Sequence, residues 1–383
     1  MPPLAGQHSW DIFCSVVDNY GDIGVCWRLA RQLVSEHGQR VRLWVDDLAA
    51  FQPLCPELNI QRSRQHAHGV EIERWEANFP ETSPRDVVVE AFGCRIPDSF
   101  VAAMAQRQPR PVWINLEYLS AEQWVAGCHA LPSPHPRLPL TKYFFFPGFT
   151  AGTGGLLREH DLLTRRRAVE TNPAGQAEFW RELGFAAPTA DTLRVSLFAY
   201  ENPAITDLLR GWAASATPIC CMVPMSRALT SVEAFCGQAL QTGGRVQCGT
   251  LEIRVLPFVE QSRYDELLWA CELNFVRGED SFVRAQWAAQ PLVWHIYPQQ
   301  EGAHLLKLDA FLDLYCADLP AMAATRVRDF WHAWNGGRLP PGIWAEFEAS
   351  LPALRQHAIA WEKTLAKQED LSSALVRFCR SKL

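Results

Sequence analysis

No segment of the sequence stays apolar for the roughly 18 residues that a membrane-crossing helix needs. The strongest aromatic run, Tyr143-Phe144-Phe145-Phe146, stops at once on Pro147 and Gly148. Met1 to Trp10 carries no basic stretch ahead of an apolar core, so no signal peptide is expected, and the protein is expected in the cytoplasm and away from membranes. The twelve cysteines, scattered from Cys14 to Cys379, include no C-x-x-C pair, and Cys220 and Cys221 sit in an apolar stretch. Reduced core thiols are expected, with neither disulfides nor a metal site. Long basic runs are missing too. The formal charge is −6 and the longest cationic cluster is Arg165-Arg166-Arg167, whereas a nucleic-acid binder carries a basic stripe that displaces counterions from phosphate. Direct contact with nucleic acid is therefore not expected. Disorder is excluded by composition, 48% hydrophobic and 20% charged.

What is present is an alternation of short apolar runs with helical periods. Ile12–Val17 reads as a strand, and Val25, Leu29 and Leu33 then recur as one face of a helix. Val41–Val45, Asp86–Ala91 and Val112–Leu116 read as further strands. The pattern breaks at Gly152, Gly154 and Gly155 and resumes at Leu193–Phe198, Pro218–Val223, Ile253–Phe258, Leu273–Val276 and Leu292–Ile296. Helices are expected between these runs, at Ala204–Ala214, Val232–Leu240, Gln261–Ala270 and Ser281–Ala289. Beyond about Ala321 the pattern is helical, anchored by Trp331, Trp334, Trp344 and Trp361. Strand, helix, strand at this spacing implies parallel sheets. The 383 residues are expected to form an N-terminal Rossmann-like domain (1–155), a connecting segment (156–192) and a second Rossmann-like domain (193–360). A C-terminal helix (361–383) is able to pack back on the first. Two doubly wound halves facing each other across a cleft is the architecture of the GT-B glycosyltransferases, an α/β fold, and also fits other two-lobed α/β proteins.

Two strand-end loops carry the chemistry. Asp18-Asn19-Tyr20-Gly21-Asp22 puts two carboxylates on one turn, where they can serve as a general base with its partner or grip a cation. The plainer alternative is that Asp22 caps a helix starting near Gly24 while Asp18 makes an Asx turn. Arg277-Gly278-Glu279-Asp280-Ser281 lies between a strand and a helix, offering free N–H groups, the positive end of a helix dipole and a cation to a diphosphate. Its alternative is a capped helix beside a surface Arg–Glu pair. Phe258 and Gln261 at another strand end suit a pyrimidine base, and Tyr200 and Tyr297 hold equivalent positions; the alternative for each alone is ordinary core or rim packing, while together they ring one mouth. No two aspartates stand two apart, so the D-x-D metal clamp of the other large glycosyltransferase fold is missing. Leaving-group charge would then fall to Arg277 and the helix N-terminus.

Four blocks resemble the bacterial protein-arginine rhamnosyltransferases that modify translation elongation factor P, the EarP family. They are Asp18 to Val25 with Trp27-Arg28-Leu29-Ala30-Arg31, Leu116 to Glu122, Arg277 to Gln286, and Trp294 to Gln299. The resemblance runs nearly end to end. It implies a metal-independent inverting enzyme with no cofactor, which takes dTDP-β-L-rhamnose as donor and one arginine of elongation factor P as acceptor. It implies Asp22 as general base with Asp18 beside it. Phe258 would stack on thymine and Gln261 would contact the nucleotide; Tyr200, Tyr297, Glu279, Asp280 and Ser281 would hold ribose and diphosphate, with Arg277 adding charge. Asn19, Tyr20, Gly21 and Glu117 fall on the acceptor side. Glu260 stands before Gln261 where proline is expected in some relatives. The competing readings are a GT-B transferase or sugar-nucleotide epimerase acting on a small molecule, and a non-catalytic module that binds a translation factor.

Overall fold

The computed structural model describes residues 7–18, 20–299 and 302–383. The chain divides into two compact units, one formed by Met1–His160 with Ala366–Leu383, the other by Asp161–Leu365.

The first unit holds strands β1 (Ser9–Cys14), β2 (Arg40–Val45), β3 (Arg64–Ala67), β4 (Val70–Arg74), β5 (Val87–Ala91), β6 (Val112–Leu116), β7 (Pro132–Pro134) and β8 (Thr141–Phe145). Their order in the sheet is β3-β4-β2-β1-β5-β6-β8-β7, parallel throughout except where β3 and β7 pair antiparallel with β4 and β8. Both faces are covered, as a parallel sheet requires. Alternate residues go to opposite cores: Ile12 and Cys14 join one with Leu29 and Leu33 of the helix Gly21–Ser35, and Phe13 joins the other with Trp44, Phe100 and Trp113. The helix Leu371–Arg380 puts Leu371, Leu375 and Cys379 into the first of these cores. Its start is fixed by Asp370, which accepts from the amides of Ser372 and Ser373, and by the Leu371 amide donating to the Leu156 carbonyl at 3.0 Å.

The second unit holds β9 (Leu193–Leu197), β10 (Ile219–Pro224), β11 (Arg245–Cys248), β12 (Leu251–Leu256), β13 (Leu273–Arg277) and β14 (Leu292–His295), in the order β11-β12-β10-β9-β13-β14. Only the edge strand β11 runs antiparallel. The stretch expected to connect the domains forms helices Leu162–Glu170 and Pro173–Glu182, which belong to this unit. Arg166 ties the first of them in, donating to the Trp287 carbonyl at 2.7 Å and pairing with buried Glu362 at 3.5 Å. All twelve cysteines are free, nine of them buried, and no helix among the described residues is long and apolar enough to cross a membrane.

In each sheet the order reverses beside the first strand, between β1 and β5 in one unit and between β9 and β13 in the other. Crevices outside the carboxyl ends of strands at such points are where ligands bind in open α/β sheets. The first strand ends sooner than its apolar run suggested. β1 stops at Cys14, and Val17 is 65% exposed. The Ser15 hydroxyl and Val16 amide are drawn to the Asp46 carboxylate, and the Val17 and Asp18 amides to Asp22. Carboxylates take these donors away from the ladder.

Candidate active site

In the first unit the switch point gathers the ends of β1, β5 and β6. Asp22 lies inside the first turn of the helix Gly21–Ser35, 3% exposed, and its Oδ2 accepts from the backbone amides of Val17 and Asp18, both at 2.8 Å. The helix has Tyr20 as its N-cap and no side-chain cap, so the capping reading of Asp22 is overturned. Its carboxylate instead folds back and pins the loop that precedes it. Burial pushes its pKa up, opposed by the two amides and by a hydrogen bond from Tyr118, while the charge of Asp46 pushes it further up. A carboxylate whose proton affinity is raised by burial and trimmed by aimed donors is the kind expected of a general base.

Asp18 is half-buried against the same turn. Its carbonyl accepts from the Gly21 amide at 2.5 Å, and its Oδ2 lies 2.6 Å from where a Cβ on Gly21 would stand. Gly21 is thus needed for close approach and not for an unusual dihedral, since it and Gly24 are helical. Glu117 follows β6, with its amide on the Phe145 carbonyl at 2.9 Å and its carboxylate receiving the Asn115 side-chain amide. The turn and the β6 end therefore bring Asp18, Tyr20, Gly21, Asp22 and Glu117 to one sheet edge; Asn19 lies outside the described residues.

The second unit assembles around Arg277, the last residue of β13. It is 5% exposed and its guanidinium lies over the rings of Phe198 and Tyr200, at 4.7 and 4.6 Å from their centroids. The expected alternative of a surface Arg–Glu pair therefore fails. Tyr297 meets Tyr200 edge-on at 5.5 Å, and His295 meets it at 5.2 Å. Burial, reinforced by the Arg277 charge, lowers the pKa of His295 to about 3, so the imidazole is neutral in the physiological range. Gly278 takes φ +56°, and Trp294 donates to its carbonyl at 2.8 Å, fixing the turn that leads into the helix Asp280–Trp287. Ser281 ties that helix start back to the end of β13. Its hydroxyl donates to the Arg277 carbonyl at 2.5 Å and accepts from the Arg277 amide at 3.0 Å. Glu279 is the half-buried N-cap.

Gln261 opens the neighbouring helix Gln261–Ala270 and donates to Asp280 at 3.1 Å. The two helix starts are held together one turn further in, where Arg284 pairs bidentately with Asp265 at 2.6 and 2.7 Å, both side chains buried. Glu260 precedes Gln261 with φ −55° and ψ 147°, a conformation proline also adopts, so the departure from proline leaves this backbone as it would be. Phe258 follows β12, half-buried, two strands from β9. Tyr118, Phe198, Trp294 and His295 are the residues that sequence reasoning passed over. All but Phe198 lay inside the quoted blocks, yet their parts depend on ring contacts between separate strands.

The sequence pattern of the family described as "Elongation-Factor P (EF-P) rhamnosyltransferase EarP" matches residues 10–380. The chain belongs to this family. The protein-arginine rhamnosyltransferase of Pseudomonas aeruginosa is 50% identical over 371 residues, covering 97% of this chain and 98% of that one. A solved structure reported under "Structural basis for EarP-mediated arginine glycosylation of translation elongation factor EF-P" is similar with a TM-score of 0.72 and 38% identity, covering 98% of this chain and all of that one. A Streptomyces glycosyltransferase, SsfS6, complexed with thymidine diphosphate, shares the fold alone, with a TM-score of 0.51 at 9% identity. As an EarP-family member the chain is a glycosyltransferase of GT-B fold.

Proposed function

We propose that this enzyme moves L-rhamnose from dTDP-β-L-rhamnose to an arginine side chain of translation elongation factor P, in the cytoplasm, with inversion at the anomeric carbon. The observation that carries the reading is the buried Asp22 carboxylate, held by loop amides beside Asp18 at the switch point of the first sheet. Arginine keeps its proton beyond about pH 12, so a guanidine nucleophile needs carboxylates that orient it and accept a proton as the new bond forms. Asp18, with Glu117 at the end of β6, orients the guanidinium, and Tyr20 and Gly21 shape the turn around it. A guanidine nitrogen attacks the anomeric carbon, the bond from that carbon to the diphosphate oxygen breaks with its electron pair, and Asp22 receives the proton.

The leaving diphosphate takes its counter-charge from Arg277 and from the amides at the start of the helix Asp280–Trp287. Ser281 contributes through its amide, because its hydroxyl is engaged on the Arg277 backbone. Tyr200, Tyr297, Glu279 and Asp280 hold ribose and diphosphate. Phe258 stacks on the thymine and Gln261, braced by Asp280, reads the nucleotide. No resident cofactor or metal enters this scheme.

Calorimetric titration tests the donor half. dTDP-rhamnose is expected to bind more tightly than UDP-glucose, and Arg277→Gln to weaken it by roughly 10–100-fold, the worth of a charge-assisted contact. Equal affinity for the two donors, or an unweakened Arg277→Gln, contradicts the assignment.

A further inference from the structure

The Asp22 carboxylate is held from two directions. Its own loop supplies two amides, Val17 and Asp18. From the end of β6, Tyr118 supplies a hydroxyl. Tyr118 is itself backed by Phe92, whose ring stacks on it at 4.7 Å with planes 22° apart. Phe92 closes β5 with φ +57°, a left-handed backbone that so bulky a side chain rarely adopts. Its amide donates to the Leu116 carbonyl at 2.7 Å, tying the β5 end to the strand that carries Tyr118. An outlier of this kind persists where its surroundings over-determine it, and such outliers cluster at functional sites.

We propose that Tyr118 is a positioning residue for this reaction, its hydroxyl aiming the Asp22 carboxylate at the acceptor guanidinium while Phe92 clamps the phenol ring. The proposal rests on the reading of Asp22 as general base. Its physical content is a balance. Burial favours the protonated acid, in which Asp22 cannot accept a proton, and hydrogen bonds donated to the carboxylate favour the ionised base. The other groups facing Asp22 work against ionisation or leave it alone. Asp46, beyond β2, repels it, while the Cys14 thiol on β1 and the Cys26 thiol on the helix are themselves pushed up and stay neutral. Asp18 gives its backbone amide, which no side-chain substitution removes. Tyr118 is thus the donor from a separate strand end, and the one a substitution can remove without touching the loop.

The test is the full-length Tyr118→Phe variant, which keeps the ring and the Phe92 stack. Rates are followed against pH with dTDP-rhamnose and elongation factor P. Removing the hydroxyl raises the pKa of Asp22, so the acid limb of the profile moves to higher pH by about one unit and kcat falls roughly tenfold, with the donor KM unchanged. An acid limb that stays in place overturns the proposal, whether the rate is unchanged or falls together with a rising KM. Asp22→Asn run alongside separates the two ideas. If it keeps full activity the base assignment itself fails; if it is inactive while Tyr118→Phe has the wild-type profile, the positioning role alone fails.

Discussion

One hydrogen atom at Gly21 decides where the Asp18 carboxylate lies. Alanine there would be the better helix former by about 1 kcal/mol, yet its Cβ would stand 2.6 Å from Asp18 Oδ2 and 3.1 Å from Cγ. The side chain would have to swing away from the turn that Asp22 shares. Gly21→Ala is therefore expected to keep or raise the thermal midpoint while lowering kcat by roughly 10–100-fold, the effect of a catalytic group displaced by about an ångström; melting and rate measured on one preparation check both. Loss of stability without loss of rate would contradict this account of the turn. The acidic pair itself was legible, because two carboxylates on one strand-end turn are visible in the sequence. Its geometry was not. Whether Asp22 faces its helix as a cap or the preceding loop as a brace depends on where β1 stops, and Val16 and Val17 read as strand although Asp46 and Asp22 hold their amides. Tyr118 and Phe92 were out of reach for a different reason, since their contact joins the ends of two strands.

The helices Gln261–Ala270 and Asp280–Trp287 must start side by side for Gln261 to meet Asp280. The Asp265–Arg284 pair secures this from inside, with Arg284 fully buried. Asp265→Ala removes the bidentate carboxylate from a buried guanidinium, which costs about 3–5 kcal/mol. Denaturant unfolding is expected to show that loss, and a change under about 1 kcal/mol would show that the pair is not the brace described. Element positions were legible where periodicity was strong and blurred where a single residue intervened. The helix expected over Val232–Leu240 is Ala228–Cys236, ended by Gly237 in the left-handed conformation. The edge strands β3 and β11 escaped notice because polar residues fill them, Arg64 to Ala67 and Arg245 to Cys248, and half-exposed edges have no apolar period to read.

The doubly wound alternation was readable where strands buried on two faces are largely apolar runs, as β1, β2, β5 and β6 are; the parallel strands β4 and β8 went unread because charged residues interrupt them. The long-range assembly of the chain was less so. Nothing in a periodic helical stretch announces that Leu365 is the last residue of one unit and Ala366 the first of the other. That crossing is set by Asp370, Leu371 and Leu375, which meet residues more than 200 positions earlier in the sequence. The blocks on the two sheets share no sequence feature that says what passes between them. Family membership links them to one reaction, and the proposed reading gives each its share: a buried base for a guanidinium on one sheet, a ring-held cation for a diphosphate on the other. The most direct test of this account is the intact mass of elongation factor P after incubation with the enzyme and dTDP-rhamnose. A gain of one deoxyhexose localised to an arginine, lost with Asp22→Asn, is the predicted result; no gain on any arginine, or an undiminished gain with Asp22→Asn, would contradict it.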